Sequence, residues 1–193
     1  RGDVFLELEE LKLVNDMANS MTEHLQKLGL KVGESCLTQV AMFVRVAAVN
    51  GVMLPVPLTV CGCLDILPLE DPVLLDAKTT SRGVSEEGIN YAMTDYSYGV
   101  QAAMYADLFQ VCTGEPEARR FAFLFAESTF PHQTRLAWVP ETLMIAYRTH
   151  YQVGLEKYSR CVATGEWGGL QLPDMDFNPP RWELNKLGVN FNL

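Results

Sequence analysis

Two apolar, strand-forming runs joined by a turn, each carrying one aspartate, constrain this chain more than any other feature. The first is Leu58 to Leu67 with Asp65 inside it, and the second is Val73 to Lys78 with Asp76 inside it. Pro68-Leu-Glu-Asp-Pro72 between them reads as a turn, so the segment predicts a β-hairpin. A hairpin closing through residues 68 to 72 sets Asp65 beside Asp76. Alternation along the second strand turns Asp76 and Lys78 to one side. Two carboxylates meeting in apolar strands are costly without a cation between them. Carboxylate oxygens are what hard Mg²⁺ or Mn²⁺ takes, with positions left for water and phosphate oxygens. Such an ion lowers the pKa of bound water and neutralises charge developing on phosphate. A neighbouring lysine can hold the attacking water or stabilise the pentacovalent oxygens. The trio therefore points to phosphodiester hydrolysis, with Asp65 and Asp76 as metal ligands and Lys78 as a catalytic group.

The hairpin sits in a longer ordered series: Gly62-x-x-Asp65, Asp76-x-Lys78, Thr79-Thr80, then Gln101-x-x-x-Tyr105. An isolated Asp-x-Lys is usually an exposed strand end with an ion pair; the joint series reverses that reading. Around it, residues 4 to 28 show helical spacing of Leu and Met, and Gly29 and Gly33 bracket the exit. Residues 34 to 48, 58 to 67 and 73 to 79 read as strands, with Asn50-Gly51 as a hairpin turn. A helix over 86 to 112 carries Gln101 and Tyr105 on one face at i, i+4. Strands at 121 to 128 and 135 to 139 precede a helix from Pro140 to about Ala163, ended by Gly165. The expected fold is α/β, a mixed central sheet flanked by helices.

The series resembles the PD-(D/E)XK nuclease superfamily in its RecB-like branch, and more narrowly the phage and prophage exonuclease VIII (RecE) type. The narrower resemblance rests on Asp76-Ala-Lys-Thr-Thr80, on Asp95 through Gln101 and Tyr105 to Asp107, and on the apolar strand Phe121 to Ala126. It ends on Thr164-Gly-Glu-Trp167 and Pro180-Arg-Trp182, covering roughly residues 34 to 183. The resemblance implies a restriction-endonuclease-like fold and a Mg²⁺-dependent exonuclease, with Mn²⁺ as substitute. Such an enzyme acts on linear duplex DNA ends from 5′ to 3′ and leaves 3′ single-stranded tails for a single-strand annealing protein in recombination. It also implies a ring-shaped homo-oligomer, a tetramer by resemblance. The Ala77 backbone carbonyl joins the metal ligands. Thr79 and Thr80 contact DNA with Gln101 and Tyr105, a pair whose bland alternative is a helix packed on the sheet. Glu34, opening the first strand, is a further candidate ligand. The chain departs from the superfamily pattern at Leu64, where the superfamily's name has proline. An upstream histidine or glutamate is also expected near the metal, for which His24, Glu7, Glu9 and Glu10 are stand-ins.

Composition is permissive. The chain has 193 residues, 48% of them apolar, which suits one nuclease domain over residues 1 to 193. It begins at Arg1 without a methionine, which leaves room for a missing N-terminal part. No run of about 18 apolar residues suggests a membrane span. Five cysteines form no even framework and read as free thiols of a reducing cytoplasm. The net charge of −9 is unlike a DNA binder's, but it is uneven: residues 119 to 193 hold 8 Lys/Arg against 7 Asp/Glu. Arg119, Arg120, Arg135, Arg148, Arg160 and Arg181 are therefore candidates to line a shared channel. Trp138, Trp167 and Trp182 read as core or subunit contacts, and His132 and His150 as surface residues. Two alternatives stand beside this reading: a RecB- or Cas4-like nuclease of other polarity or single-strand substrate, and a non-catalytic DNA-binding relic.

Overall fold

The computed structural model describes residues 7–168. The elements run α1 (Leu8–Lys27), β1 (Cys36–Val49), β2 (Val52–Pro68), β3 (Val73–Thr80), α2 (Glu86–Asp95), α3 (Tyr98–Thr113), β4 (Arg120–Glu127), β5 (Thr134–Trp138) and α4 (Glu141–Thr164). The strands form one sheet in the order β1-β2-β3-β4-β5. It is mixed: β3 and β4 are parallel, and the other neighbours are antiparallel. A parallel pair needs a long crossover, which α2 and α3 supply. The result is the α/β, restriction-endonuclease-like arrangement of a mixed sheet flanked by helices.

Apolar side chains on the two sheet faces feed two cores. On one face Leu64, Leu74, Phe121, Phe123 and Phe125 pack with α2, α3 and α4 through Ile89, Ala102, Ala106, Phe109 and Met144. On the other, Ile66, Leu75, Ala122 and Leu124 pack with Leu25 of α1. Helix α3 comes very close to the sheet. A Cβ at Gly62 would lie 2.8 Å from Tyr105 Cε1.

Asn50 and Gly51 have φ of 49° and 77°, the left-handed pair that a tight hairpin turn needs. The second strand starts at Val52, six residues before the expected Leu58. Pro55 and Pro57 argue against a strand because they lack an N–H. The structure accommodates them by shifting register: Val46 pairs with Leu58, but Ala48 pairs with Met53. Residues 54 to 57 thus drop out of the pairing, and the Ser159 hydroxyl of α4 takes over at Val56. It accepts from Val56 N–H at 2.9 Å and donates to Val56 C=O at 2.8 Å.

The single helix expected over 86–112 is two helices. The break falls at Ser97, whose φ of 53° is left-handed. Beyond the break Gly99 packs against Tyr147 of α4, with an ideal Cβ only 2.1 Å from its ring. Uninterrupted helical spacing hid this bend, which tertiary packing imposes. His132 is also buried, against expectation: its Nδ1–H donates to the Glu127 carbonyl at 3.0 Å. His150 is exposed.

Candidate active site

Between β2 and β3 the ladder holds a single pair, Ile66 with Leu75. Beyond that pair the strands part, and side chains replace backbone partners in the gap. Ala77 N–H donates to Asp65 Oδ2 at 3.0 Å instead of to a β2 carbonyl. Asp65 thus stands at the fork of two diverging strands, one step beyond the last ladder pair and across from Asp76.

Asp76 is 1% exposed. Its Oδ1 accepts from Gln101 Nε2 at 3.1 Å, and its Oδ2 holds the Lys78 ammonium in a very short ion pair. Burial pushes the Asp76 carboxyl above the usual carboxylate range; the Lys78 ammonium opposes the rise, and Asp65 adds to it. Lys78 Nζ also lies 4.8 Å from the Tyr98 ring centroid and 5.5 Å from that of Phe123, two cation–π contacts that fix its direction.

The residue that completes the fork from β1 is Gln39, and sequence reading missed it. Gln39 Nε2 donates to Asp65 Oδ1 at 3.0 Å, and its Oε1 lies 3.6 Å from Cys63 Sγ. Gln39 has φ 54° inside a strand. On β2, Leu64 faces α3 while Ile66 faces α1 and Leu67 faces α3 again, so the pleat changes phase at Asp65. Thr38 pairs with Ile66 and Val40 with Leu64, so Gln39 is the residue across from that change. The one available hint was a glutamine standing directly before the apolar run from Val40 to Val44.

Asp65, Asp76, Lys78 and Gln101 are brought together. Tyr105 is half-buried against Gly62, one helical turn from Gln101. Thr79 is exposed, whereas Thr80 is buried and its hydroxyl accepts from Arg82 N–H at 3.1 Å, capping a turn. Glu34 is not brought in. It lies in the turn before β1, exposed, and pairs with Lys31 at 3.3 Å. Of the upstream stand-ins, Glu7 and Glu10 cap α1, Glu9 is exposed in its first turn, and His24 bonds Thr134 at 2.8 Å.

Two of the channel arginines are otherwise engaged. Arg119 pairs with Glu115 at 2.8 Å and reaches the Pro68 carbonyl at 3.1 Å, and Arg148 grips Asp107 at 2.7 Å. Arg120 lies over Trp138 at 4.1 Å, Arg135 is exposed but donates to the Val84 carbonyl at 3.3 Å, and Arg160 is exposed. Trp167 is exposed and edge-on to Tyr158. Arg181, Pro180 and Trp182 lie outside the described residues. Cys36, Cys61, Cys63, Cys112 and Cys161 are free thiols.

The donor set suits a hard divalent cation held in part by water. Among the described residues no three His, Cys, Asp or Glu side chains cluster, so a closed structural zinc site is out of reach there. Two adjacent carboxylates suit Mg²⁺, which is commonly held by one or two carboxylates with water and phosphate filling the rest. Each of their four oxygens already accepts one hydrogen bond, which aims the remaining lone pairs.

A family model, the PDDEXK-like domain of unknown function DUF3799, matches residues 53–170, well over half of the chain. No curated protein matches. The chain is similar in structure to a candidate exonuclease of Eubacterium rectale, with TM-score 0.60 and 16% identity over 92% of this chain. It spans 65% of that protein's length. It is also similar to a phage-related exonuclease of Haemophilus somnus 129PT, with TM-score 0.50 and 11% identity, covering 85% of this chain and 76% of that one. At these identities the likeness is one of fold. No helix among the described residues is long and apolar enough to cross a membrane.

Proposed function

Given that the chain belongs to the PDDEXK-like family DUF3799, we propose that it is a Mg²⁺-dependent deoxyribonuclease acting on the ends of linear duplex DNA. The observation that carries this is the buried Asp76 carboxylate, held beside Asp65 with Lys78 and Gln101 on its two oxygens. Asp65, Asp76 and the Ala77 carbonyl would hold the metal, which supplies an activated water and neutralises phosphate charge. Gln101 fixes the carboxylate plane of Asp76. Asp65 is fixed from both sides, by Gln39 on β1 and Ala77 N–H on β3. Lys78 presents an ammonium to the attacking water or to the equatorial phosphate oxygens, and Tyr98 and Phe123 hold it there. Such fixed charge is worth most where water is excluded. In this reading exposed Thr79 and Tyr105, one turn from Gln101, contact the DNA backbone.

The polarity proposed is 5′→3′, leaving 3′ tails for an annealing protein in recombination, within a cytoplasmic homo-oligomeric ring. The Eubacterium rectale and Haemophilus somnus proteins, both described as exonucleases, support the end-directed reading. The test is digestion of 5′- and 3′-labelled linear duplex with Mg²⁺, using a closed circle as control. Stepwise loss from the 5′ label with the circle intact is expected. Cutting of the circle, or release from the 3′ label first, would sink the polarity and end dependence. Complete inertness of every DNA with Mg²⁺ or Mn²⁺ would leave the relic as the answer.

A further inference from the structure

The bend between α2 and α3 builds an aromatic stack that runs from the candidate site to the surface. Ser97 adopts a left-handed φ of 53° although it is not glycine. That conformation is strained for a non-glycine residue and persists only where the surroundings hold it. Its consequence is that Tyr96 and Tyr98 stack, with ring centroids 5.4 Å apart and planes inclined by 26°. The inner ring, Tyr98, covers Lys78 at 4.8 Å and packs on Phe123 at 5.4 Å. Burial, followed by Tyr96 and Asp76, raises its hydroxyl pKa. The outer ring, Tyr96, is 66% exposed. Tyr96 is the outer plate of the stack, with one ring face against Tyr98. Here the plate is tied to the one lysine that the proposed chemistry uses.

We propose that Tyr96 is the stacking platform for a nucleobase of the strand being cut, unstacked from its duplex at the end. The inference rests on the nuclease reading of the Lys78 site. Tyr96 lies no further from Lys78 Nζ than the two ring distances laid end to end, which is within a nucleotide's reach of the scissile phosphate. A π-face accepts every base, so the platform gives grip without sequence preference, as an enzyme that proceeds along DNA needs. Base–aromatic stacking contributes about 1–3 kcal/mol per base. Its loss corresponds to a roughly 5- to 150-fold change in affinity.

The test is a cycle of two changes, read as the dissociation constant of a labelled linear duplex with Ca²⁺ in place of Mg²⁺. One change is Tyr96→Ala; the other is a single abasic residue at each strand terminus in turn. Tyr96→Ala is expected to weaken binding at least about 5-fold on the base-bearing end and negligibly on the abasic end, with Tyr96→Phe like wild type. Equal losses on both ends, no loss on either, or a Phe variant as weak as Ala would overturn the platform. Wild-type cleavage together with an uncoupled cycle removes the platform alone. Wild type that neither binds nor cuts linear duplex removes the nuclease reading and the platform with it.

Discussion

Asp76 is the residue on which the site turns, because it is a carboxylate kept 1% exposed beside another carboxylate. Asp65→Ala and Asp76→Ala are each expected to abolish cleavage while leaving the fold intact; more than about a tenth of wild-type turnover in either would remove the assignment. The raised carboxyl makes a separate prediction for the metal-free protein. Between the unfolded value, about 3.9, and the raised folded value, the native state binds more protons than the unfolded state. Stability from this group is therefore complete below that window and declines as pH rises through it. Asp76→Asn removes the titration, so in EDTA its Tm relative to wild type should climb as pH rises from about 4 and then level off. Calorimetry showing a gap that does not change with pH would contradict this. Lys78→Ala should slow cleavage by roughly 10²-fold or more while Mn²⁺ still binds, since an ammonium is not a ligand. Loss of the Mn²⁺ isotherm in that variant would make the lysine structural. At this scale the meeting of Asp65, Asp76 and Lys78 was expected from spacing, whereas Gln101 was expected only from the family resemblance and as a DNA contact, and its bond to Asp76 was not foreseen. Gln39 was not legible, because a pleat that changes phase leaves no periodic trace.

At the level of elements, two misreadings share a cause: a neighbouring helix repairs what local rules forbid. Pro55 and Pro57 should end a strand, and β2 continues through them because Ser159 of α4 satisfies both polar groups of Val56. Ser159→Ala strands a half-buried N–H and C=O, which costs about 1–3 kcal/mol. A lower urea midpoint at unchanged slope is expected; an unmoved midpoint would show that water replaces the hydroxyl. Likewise α2 and α3 read as one helix, and the turn at Ser97 lets Gly99 meet the Tyr147 ring. Gly99→Ala has no room for its methyl and should cost about 1–3 kcal/mol by overpacking. The same denaturation measurement checks it, and full stability would mean that α4 shifts freely.

For the molecule as a whole, the charge of −9 poses the question of how a duplex is held. Arg119 and Arg148 serve internal pairs, whereas Arg120, Arg135 and Arg160 are exposed and, with Arg181, are the candidates for a shared channel. A closed homo-oligomer concentrates such few cations, and DNA affinity should then fall steeply with salt. Light scattering at micromolar concentration is expected to give a multiple of 21.6 kDa. A strictly monomeric mass together with processive digestion of long duplex would show that no ring holds the DNA.

By itself the sequence determined the α/β class, the order of the five strands along the chain, and the meeting of Asp65 with Asp76 and Lys78. These follow from short-range periodicity and from one hairpin whose turn sets its register. Tertiary structure alone decided that β2 and β3 part beyond one pair, that Gln39 crosses from β1 to Asp65, that Glu34 turns away to Lys31, and that a bend stacks Tyr96 on Tyr98. The Gln39 bond depends on contact between residues distant in the chain, and the Tyr96–Tyr98 stack on left-handed backbone at a non-glycine residue. Pattern and propensity carry no signal for either, because both describe the chain one element at a time.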